Sequence, residues 1–381
     1  MPTTPTPSQA TEGSLPGLEH HPHARALLLP ALPPEGKASH AYLFYGPDGT
    51  GKRTVAKAFA AALLADGAED SWGVRERVGR DAHPDLTWVR PSGASEVLVS
   101  DIDEAVVGAV AHTPFESSRR VFVIEAAGSM NDQAANRLLK TLEEPPEFAH
   151  LILLARHSED VLPTIASRCQ QVRFDPLSSE TIELRLVAGD VNIDSMRARA
   201  CARLAEGDGA VAQRLACEEG AALRESAERF LAVALGEQGG ERPWLGLLDG
   251  AKTAGSDAGG LATERLRAQA EMLPSKERRK HEREGADVVR RAERRARTAT
   301  LDLGLRLVEL GLRDAWCVAV GAPEVVFACD RLGEPRREVS PDLLLGGVEL
   351  VRDTRLRLVL NVSEELALEA LFYRLAETLG D

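Results

Sequence analysis

His40-Ala41-Tyr42-Leu43-Phe44-Tyr45 leads straight into Gly46-Pro47-Asp48-Gly49-Thr50-Gly51-Lys52-Arg53, and that loop into Thr54-Val55-Ala56-Lys57-Ala58-Phe59 and an Ala/Leu run ending at Ala65. The first piece is a short apolar run closed by Gly-Pro, which reads as a buried strand. The last piece is a strong helix by its Ala and Leu content. Between them lies G-x-x-x-x-G-K, the pattern of a phosphate-cradling loop. Gly46, Gly49 and Gly51 let backbone N–H groups converge on phosphate oxygens. The helix N-terminus adds positive potential, and Lys52 has the reach for the β- and γ-phosphates. A tight turn that merely needs glycine would share these residues, but a strand before and a helix after favour the phosphate loop.

The next position departs from the pattern. A Ser or Thr hydroxyl should follow the lysine to bind Mg²⁺, and the residue there is Arg53. A guanidinium cannot ligate a cation and repels one. Thr54 lies about 100° further around the helix and is a poor substitute. A second departure follows the apolar strand Val121-Phe122-Val123-Ile124, which continues into Glu125-Ala126-Ala127. In ATPases of this plan such a strand ends in Asp-Glu, the first organising Mg²⁺ and the second orienting the attacking water. Glu125 stands in the first place and could hold a metal. A plain polar strand end explains it equally well, and both readings stay open. Ala126 stands in the second place and cannot accept a proton.

Working outward, strands are also expected at Leu86-Thr87-Trp88-Val89, Leu151-Ile152-Leu153-Leu154 and Gln171-Val172-Arg173-Phe174, with helical patterns between several of them. Apolar strands alternating with helices mean a parallel sheet covered on both faces. The expected fold is an α/β domain over 15–176, a small helical domain over 177–218 turning at Glu206-Gly207-Asp208-Gly209, and an all-α domain over 219–381. Residues 1–14 are Pro/Thr/Ser-rich without a basic or apolar segment, and read as a disordered tail rather than a signal peptide.

Composition narrows the function. The 381 residues carry a net charge of −13, which argues against a protein that coats nucleic acid with its whole surface. Five cysteines, at 169, 201, 217, 317 and 329, include no C-x-x-C pair, so neither a zinc site nor a disulfide framework is expected. The default compartment is the cytosol, and no run approaches the roughly 20 apolar residues of a membrane span. The nine histidines, His20, His21 and His23 among them, show no metal-ligand spacing and read as mostly surface residues. The run 276–297 holds ten Lys/Arg against five Asp/Glu. It could meet DNA phosphates or the acidic face of a partner, although such mixed runs are more often a solvated helix face.

Three further segments carry a resemblance. Asn136-Arg137-Leu138-Leu139-Lys140-Thr141-Leu142-Glu143-Glu144-Pro145-Pro146 is an amphipathic helix with Leu138, Leu139 and Leu142 on one face, stopped by the prolines. Ser167-Arg168-Cys169 follows, and His83-Pro84-Asp85 lies upstream. In this order the set resembles the clamp-loader subunits of bacterial DNA polymerase III, delta prime and its ATPase relative gamma/tau. The likeness is strong over 39–176, weak over 177–218, and architectural beyond. It implies an AAA+ module with a helical lid, and a collar that joins subunits in a ring. It also implies that Arg168 acts in trans as an arginine finger in a neighbour's ATP site, where a guanidinium offsets transition-state charge. A plain surface ion pair at a strand start is the alternative for Arg168.

The departures choose within the family. The ATPase members carry Ser/Thr after the loop lysine, Asp-Glu after the second strand, Thr after the third, and Gly-Ser-x-Arg in the lid. This chain has Arg53, Glu125-Ala126, Arg156-His157 and Gly207-Asp208-Gly209-Ala210. Loss of in-cis chemistry with Arg168 retained resembles the delta-prime branch. The zinc cysteines common in the family are missing between 64 and 82. The resemblance implies a non-motor (stator) subunit and not an enzyme in its own right. Its partners would be a gamma/tau ATPase and a delta subunit, with the sliding clamp and primed DNA reached through the assembly in DNA replication. No cofactor is expected to be required; whether the degenerate loop of Gly46, Gly49, Gly51 and Lys52 holds ATP stays open. The rivals are an active gamma/tau-like ATPase, supported by Lys52 and Glu125, and an independent DNA-binding protein using 276–297.

Overall fold

The structure is a computed structural model describing residues 15–91, 97, 99–189, 193–238, 240–271, 275–331, 339–359 and 362–380. The reading of 1–14 as a tail lies outside these residues. The chain divides into two compact units, Met1–Leu177 and Ser178–Asp381.

The first unit runs α1 (Pro22–Leu28), β1 (Ala41–Tyr45), α2 (Lys52–Leu64), α3 (Ser71–Gly79), β2 (Leu86–Val89), α4 (Val99–Ile102), α5 (Gly108–Val110), β3 (Arg120–Ile124), α6 (Asp132–Glu143), β4 (Ala149–Ala155), α7 (Pro163–Ala166) and β5 (Gln170–Arg173). The five strands form one sheet in the order β2-β3-β4-β1-β5. Every pairing is parallel, with Ala41 opposite Leu151, Tyr42 opposite Gln170 and Leu86 opposite Val121. Parallel strands need crossovers, and crossovers put helices on both faces. Alternation along β1 makes the point. Tyr42 and Phe44 pack into a core with Phe59 and Leu63 of α2, while Leu43 faces the core of Leu138 and Leu142 from α6. Tyr42 and Phe59 meet edge to face at 5.1 Å between ring centroids, a geometry aromatic pairs favour. This is the α/β fold with a parallel sheet expected from the sequence. The expected strands are all present, Leu86–Val89 with the expected bounds and the others with ends shifted by at most two residues.

The second unit is all helix among its described residues: α8 (Ser179–Ala188), α9 (Ser195–Leu204), α10 (Gly209–Ala216), α11 (Glu218–Ala234), α12 (Leu245–Glu271), α13 (Ser275–Ala319), α14 (Pro341–Val359) and α15 (Glu364–Gly380), with two short 3-10 turns. Ser178, Asp194 and Asp208 cap α8, α9 and α10, each side chain accepting from a first-turn N–H. Trp244, Phe230 and Phe372 build an aromatic core, with ring centroids 5.5 and 5.7 Å apart. Arg224, 3% exposed, is held by both carboxylate oxygens of Asp330 at 2.8 and 2.7 Å, so the buried charge is matched where it lies. The basic run 276–297 falls within the 45-residue α13. No helix is long and apolar enough to cross a membrane among the described residues.

Candidate functional site

The structure brings Gly46, Gly49, Gly51 and Lys52 together at the C-terminal end of β1. The three glycines have φ of 145°, 70° and 97°, backbone angles that L-residues rarely adopt. At Gly46 a Cβ would stand 2.0 Å from the carbonyl oxygen of Phe174, so the loop fits against the end of β5 only with glycine there. His21, at the start of α1, reaches the same loop, its Nε2 lying 2.7 Å from the carbonyl oxygen of Thr50. That histidine is fully buried, as are His83 and His150 within a few per cent. This corrects the surface reading for these three: each fills a polar slot between elements far apart in sequence, a pairing that spacing cannot reveal.

Lys52 opens α2 and is 8% exposed. Its ammonium donates to the carbonyl oxygens of Gly46 and Pro47. Arg53 turns towards β3, where its Nη2 stands 2.7 Å from Oε1 of Glu125. That same oxygen accepts from the indole N–H of Trp88, and the Nε of Arg90 lies 3.7 Å away. Glu125 is only 16% exposed. The carboxylate in the metal-organising place is therefore neutralised by a guanidinium of the chain itself. Ala126 follows with φ 52°, a left-handed conformation that costs about 1 kcal/mol for a non-glycine residue, and carries no base. Arg156, at the end of β4, forms an ion pair with Asp48 of the loop. The donor set does not fit Mg²⁺. One carboxylate already bound to a cation, a second cation beside it and no hydroxyl after Lys52 leave a metal little to bind. No group of three or more His, Cys, Asp or Glu side chains suited to a metal occurs among the described residues.

Arg168 lies elsewhere. It follows α7 and precedes β5, at the opposite end of the sheet from the loop. Gln170 pairs with Tyr42, whereas Phe174 meets Gly46. Four residues of strand separate those levels, about 13 Å, and Arg168 is two residues further back. Its side chain is 38% exposed, with Nη2 2.7 Å from Oε1 of Glu143 and Nη1 2.9 Å from the carbonyl oxygen of Thr164. Its neighbours explain its place. The Ser167 hydroxyl donates to the Thr164 carbonyl at 3.2 Å. Cys169 turns into the core, 9% exposed, and burial pushes its thiol up to about 12. The triplet thus pins its flanks and leaves the arginine outside.

Two of the remaining expectations resolve locally. Asp85 of His83-Pro84-Asp85 is fully buried and accepts from the backbone N–H groups of Phe115, Glu116 and Ser117 at 2.6, 3.0 and 2.9 Å. It staples the loop before β3, and His83 packs beside it with Nε2 3.0 Å from Glu116. In the second unit, Ala210 sits in the first turn of α10, its N–H capped by Asp208 at 2.9 Å. The cation of that helix, Arg214, is bonded to the Thr300 hydroxyl. The sequence reading missed Trp88, whose indole fixes Glu125, and the pairing of Arg53 with Glu125. The opposite charges of the two were the available signal.

Residues 27–178 match the family described as DNA polymerase III, delta subunit. The DNA polymerase III subunit delta' of Bacillus subtilis is 39% identical over 160 residues, covering 41% of this chain and 48% of that protein. The DNA polymerase III subunit tau of the same organism is 34% identical over 155 residues, covering 39% and 27%. A solved gamma subunit-related protein of Thermotoga maritima superposes with a TM-score of 0.45 at 19% identity, over 90% of this chain and 95% of that one. The chain spans about half the length, or less, of the curated relatives it matches. Over this first domain the resemblance to clamp-loader subunits of the delta-prime kind, expected from the sequence, is borne out.

Proposed function

We propose that this chain is a non-motor subunit of a DNA polymerase III clamp loader, of the delta-prime kind. The carrying observation is the bond between Arg53 and Glu125, which puts a fixed guanidinium on the carboxylate that would organise Mg²⁺ in a working ATPase. With Ala126 in the place of the base, the chain has neither a free carboxylate for the metal nor the proton acceptor that phosphoryl transfer uses. Its own loop does not turn over ATP.

Arg168 is the chemistry it retains. At the far end of the sheet it cannot serve its own loop, and its partial exposure leaves it accessible to a neighbour. Placed beside the γ-phosphate of a gamma/tau-type subunit, its guanidinium offsets the charge of the transition state. Residues 177–218 act as the lid and 219–381 as the collar that holds the chain beside that ATPase and a delta subunit. The assembly acts in the cytoplasm, opening a ring-shaped clamp and closing it on primed DNA.

The test has two arms. The purified chain should hydrolyse no ATP in Mg²⁺; turnover that Lys52→Ala abolishes would make it a gamma/tau-like motor instead. In the reconstituted assembly, Arg168→Ala should lower DNA-stimulated ATP hydrolysis at least tenfold at the adjoining site while the subunits still co-elute. Wild-type hydrolysis and clamp loading would refute the donor role.

A further inference from the structure

We infer that Glu143 is the positioning residue for the Arg168 guanidinium. This rests on the in-trans role proposed for Arg168. Two acceptors from two different elements hold the group. Glu143, the last residue of α6, takes Nη2 at 2.7 Å, and the carbonyl of Thr164 in α7 takes Nη1 at 2.9 Å.

Both acceptors are themselves fixed. The helix bearing Glu143 is capped at its start by Asn131, whose Oδ1 accepts from Ala134 N–H at 2.9 Å, and is seated at its end by buried Thr141 and Leu142. Pro145 and Pro146, two and three residues beyond Glu143, stop the helix, so the carboxylate hangs from a rigid end. Thr164 lies in the short helix that Ile165 and Ala166 bury. A guanidinium offers five N–H groups in one plane. Gripped at both terminal nitrogens, it keeps Nε–H and one hydrogen on each terminal nitrogen for phosphate oxygens. A free arginine would lose its rotamer freedom on docking; this one is held before the neighbour arrives, which is how a supporting residue raises the rate of a group it only touches.

The experiment uses the full chain reconstituted with its ATPase and delta subunits, and reads steady-state ATP hydrolysis. Glu143→Ala should lower kcat by about three- to tenfold, a part of one arginine's full rotamer freedom because the Thr164 carbonyl still holds Nη1, with KM and co-elution unchanged. Glu143→Gln, which keeps an acceptor oxygen at similar reach, should restore most of the rate. Glu143→Ala added to Arg168→Ala should slow the assembly no further, since the two act through one group. Glu143 is half-exposed, so the melting temperature of the variants should match wild type. An unchanged or faster kcat in Glu143→Ala, or a double variant slower than Arg168→Ala, would overturn the positioning role. If Arg168→Ala itself leaves hydrolysis unchanged, the donor role falls and this one with it. If Arg168→Ala slows the assembly and Glu143→Ala does not, only the positioning role falls.

Discussion

Replacing Arg53 by Thr puts a hydroxyl directly after the loop lysine and frees Glu125. The loss in stability should be small. Arg53 is 65% exposed and Glu125 16%, and such pairs contribute about 0.2–1 kcal/mol. In a unit of this size that moves the melting temperature by at most about 4 °C. The effect on metal should be larger. Two unit charges about 4 Å apart at an effective dielectric near 20 interact by about 4 kcal/mol. Discounting for the exposure of the guanidinium, and for the Arg90 cation that remains, leaves about 1–2 kcal/mol, roughly a tenfold change in affinity. The assay is titration of the isolated chain with a fluorescent ATP analogue, with Mg²⁺ and then with EDTA. The wild-type chain should gain nothing from the metal, and Arg53→Thr should bind about tenfold more tightly with it. Neither should hydrolyse ATP, because Ala126 still lacks a base. If Arg53→Thr is as indifferent to Mg²⁺ as wild type, the guanidinium is not what excludes the metal. If it hydrolyses ATP, the missing base is not what silences the loop.

Two more outcomes follow from the same geometry. Gly46→Ala forces a Cβ to within 2.0 Å of the Phe174 carbonyl oxygen at a φ of 145°; a backbone atom cannot swing aside, so urea denaturation should report a loss of about 2–4 kcal/mol, and a neutral substitution would contradict the loop geometry. Burial pushes the pKa values of His83 and His150 below the ordinary histidine value, against the pull of Glu116 on the first and of the Ser39 carbonyl on the second. Both are then neutral in the fold and protonate more readily in the unfolded chain. The unfolded state thus takes up the extra protons as pH drops below about 6.5. Stability should fall from pH 7 to 5, less steeply in His150→Gln, and a urea midpoint flat over that range would contradict the burial.

The strands were legible because a parallel sheet covered on both faces leaves near-continuous apolar runs, and 121–124 and 151–154 are such runs. The glycine loop at 46–51 was legible because its glycines are close in sequence and each has a positive φ. What stayed hidden depends on pairs distant in sequence. Arg53 read as a loss and Glu125 as either a metal holder or a polar strand end, and only the fold makes them one compensated unit. Asp85 read as part of a motif, yet its three partners at 115–117 lie thirty residues on and are backbone N–H groups, invisible to any residue pattern. His21 looked like one of a polar cluster because His20 and His23, its neighbours, do face solvent. Arg168 was legible through its flanks, but Glu143 had no signal apart from its motif, since the two stand 25 residues apart in sequence.

On the in-trans role proposed for Arg168, its separation from the loop of its own chain gives the domain a direction. Modules with a donor at one end of the sheet and an acceptor at the other stack only head to tail, through unlike surfaces. On the same proposal a member whose acceptor end is disabled would break that succession at one point, and copies of it alone would make a catalytically silent row. On that proposal its presence would mark where a series of otherwise similar units begins.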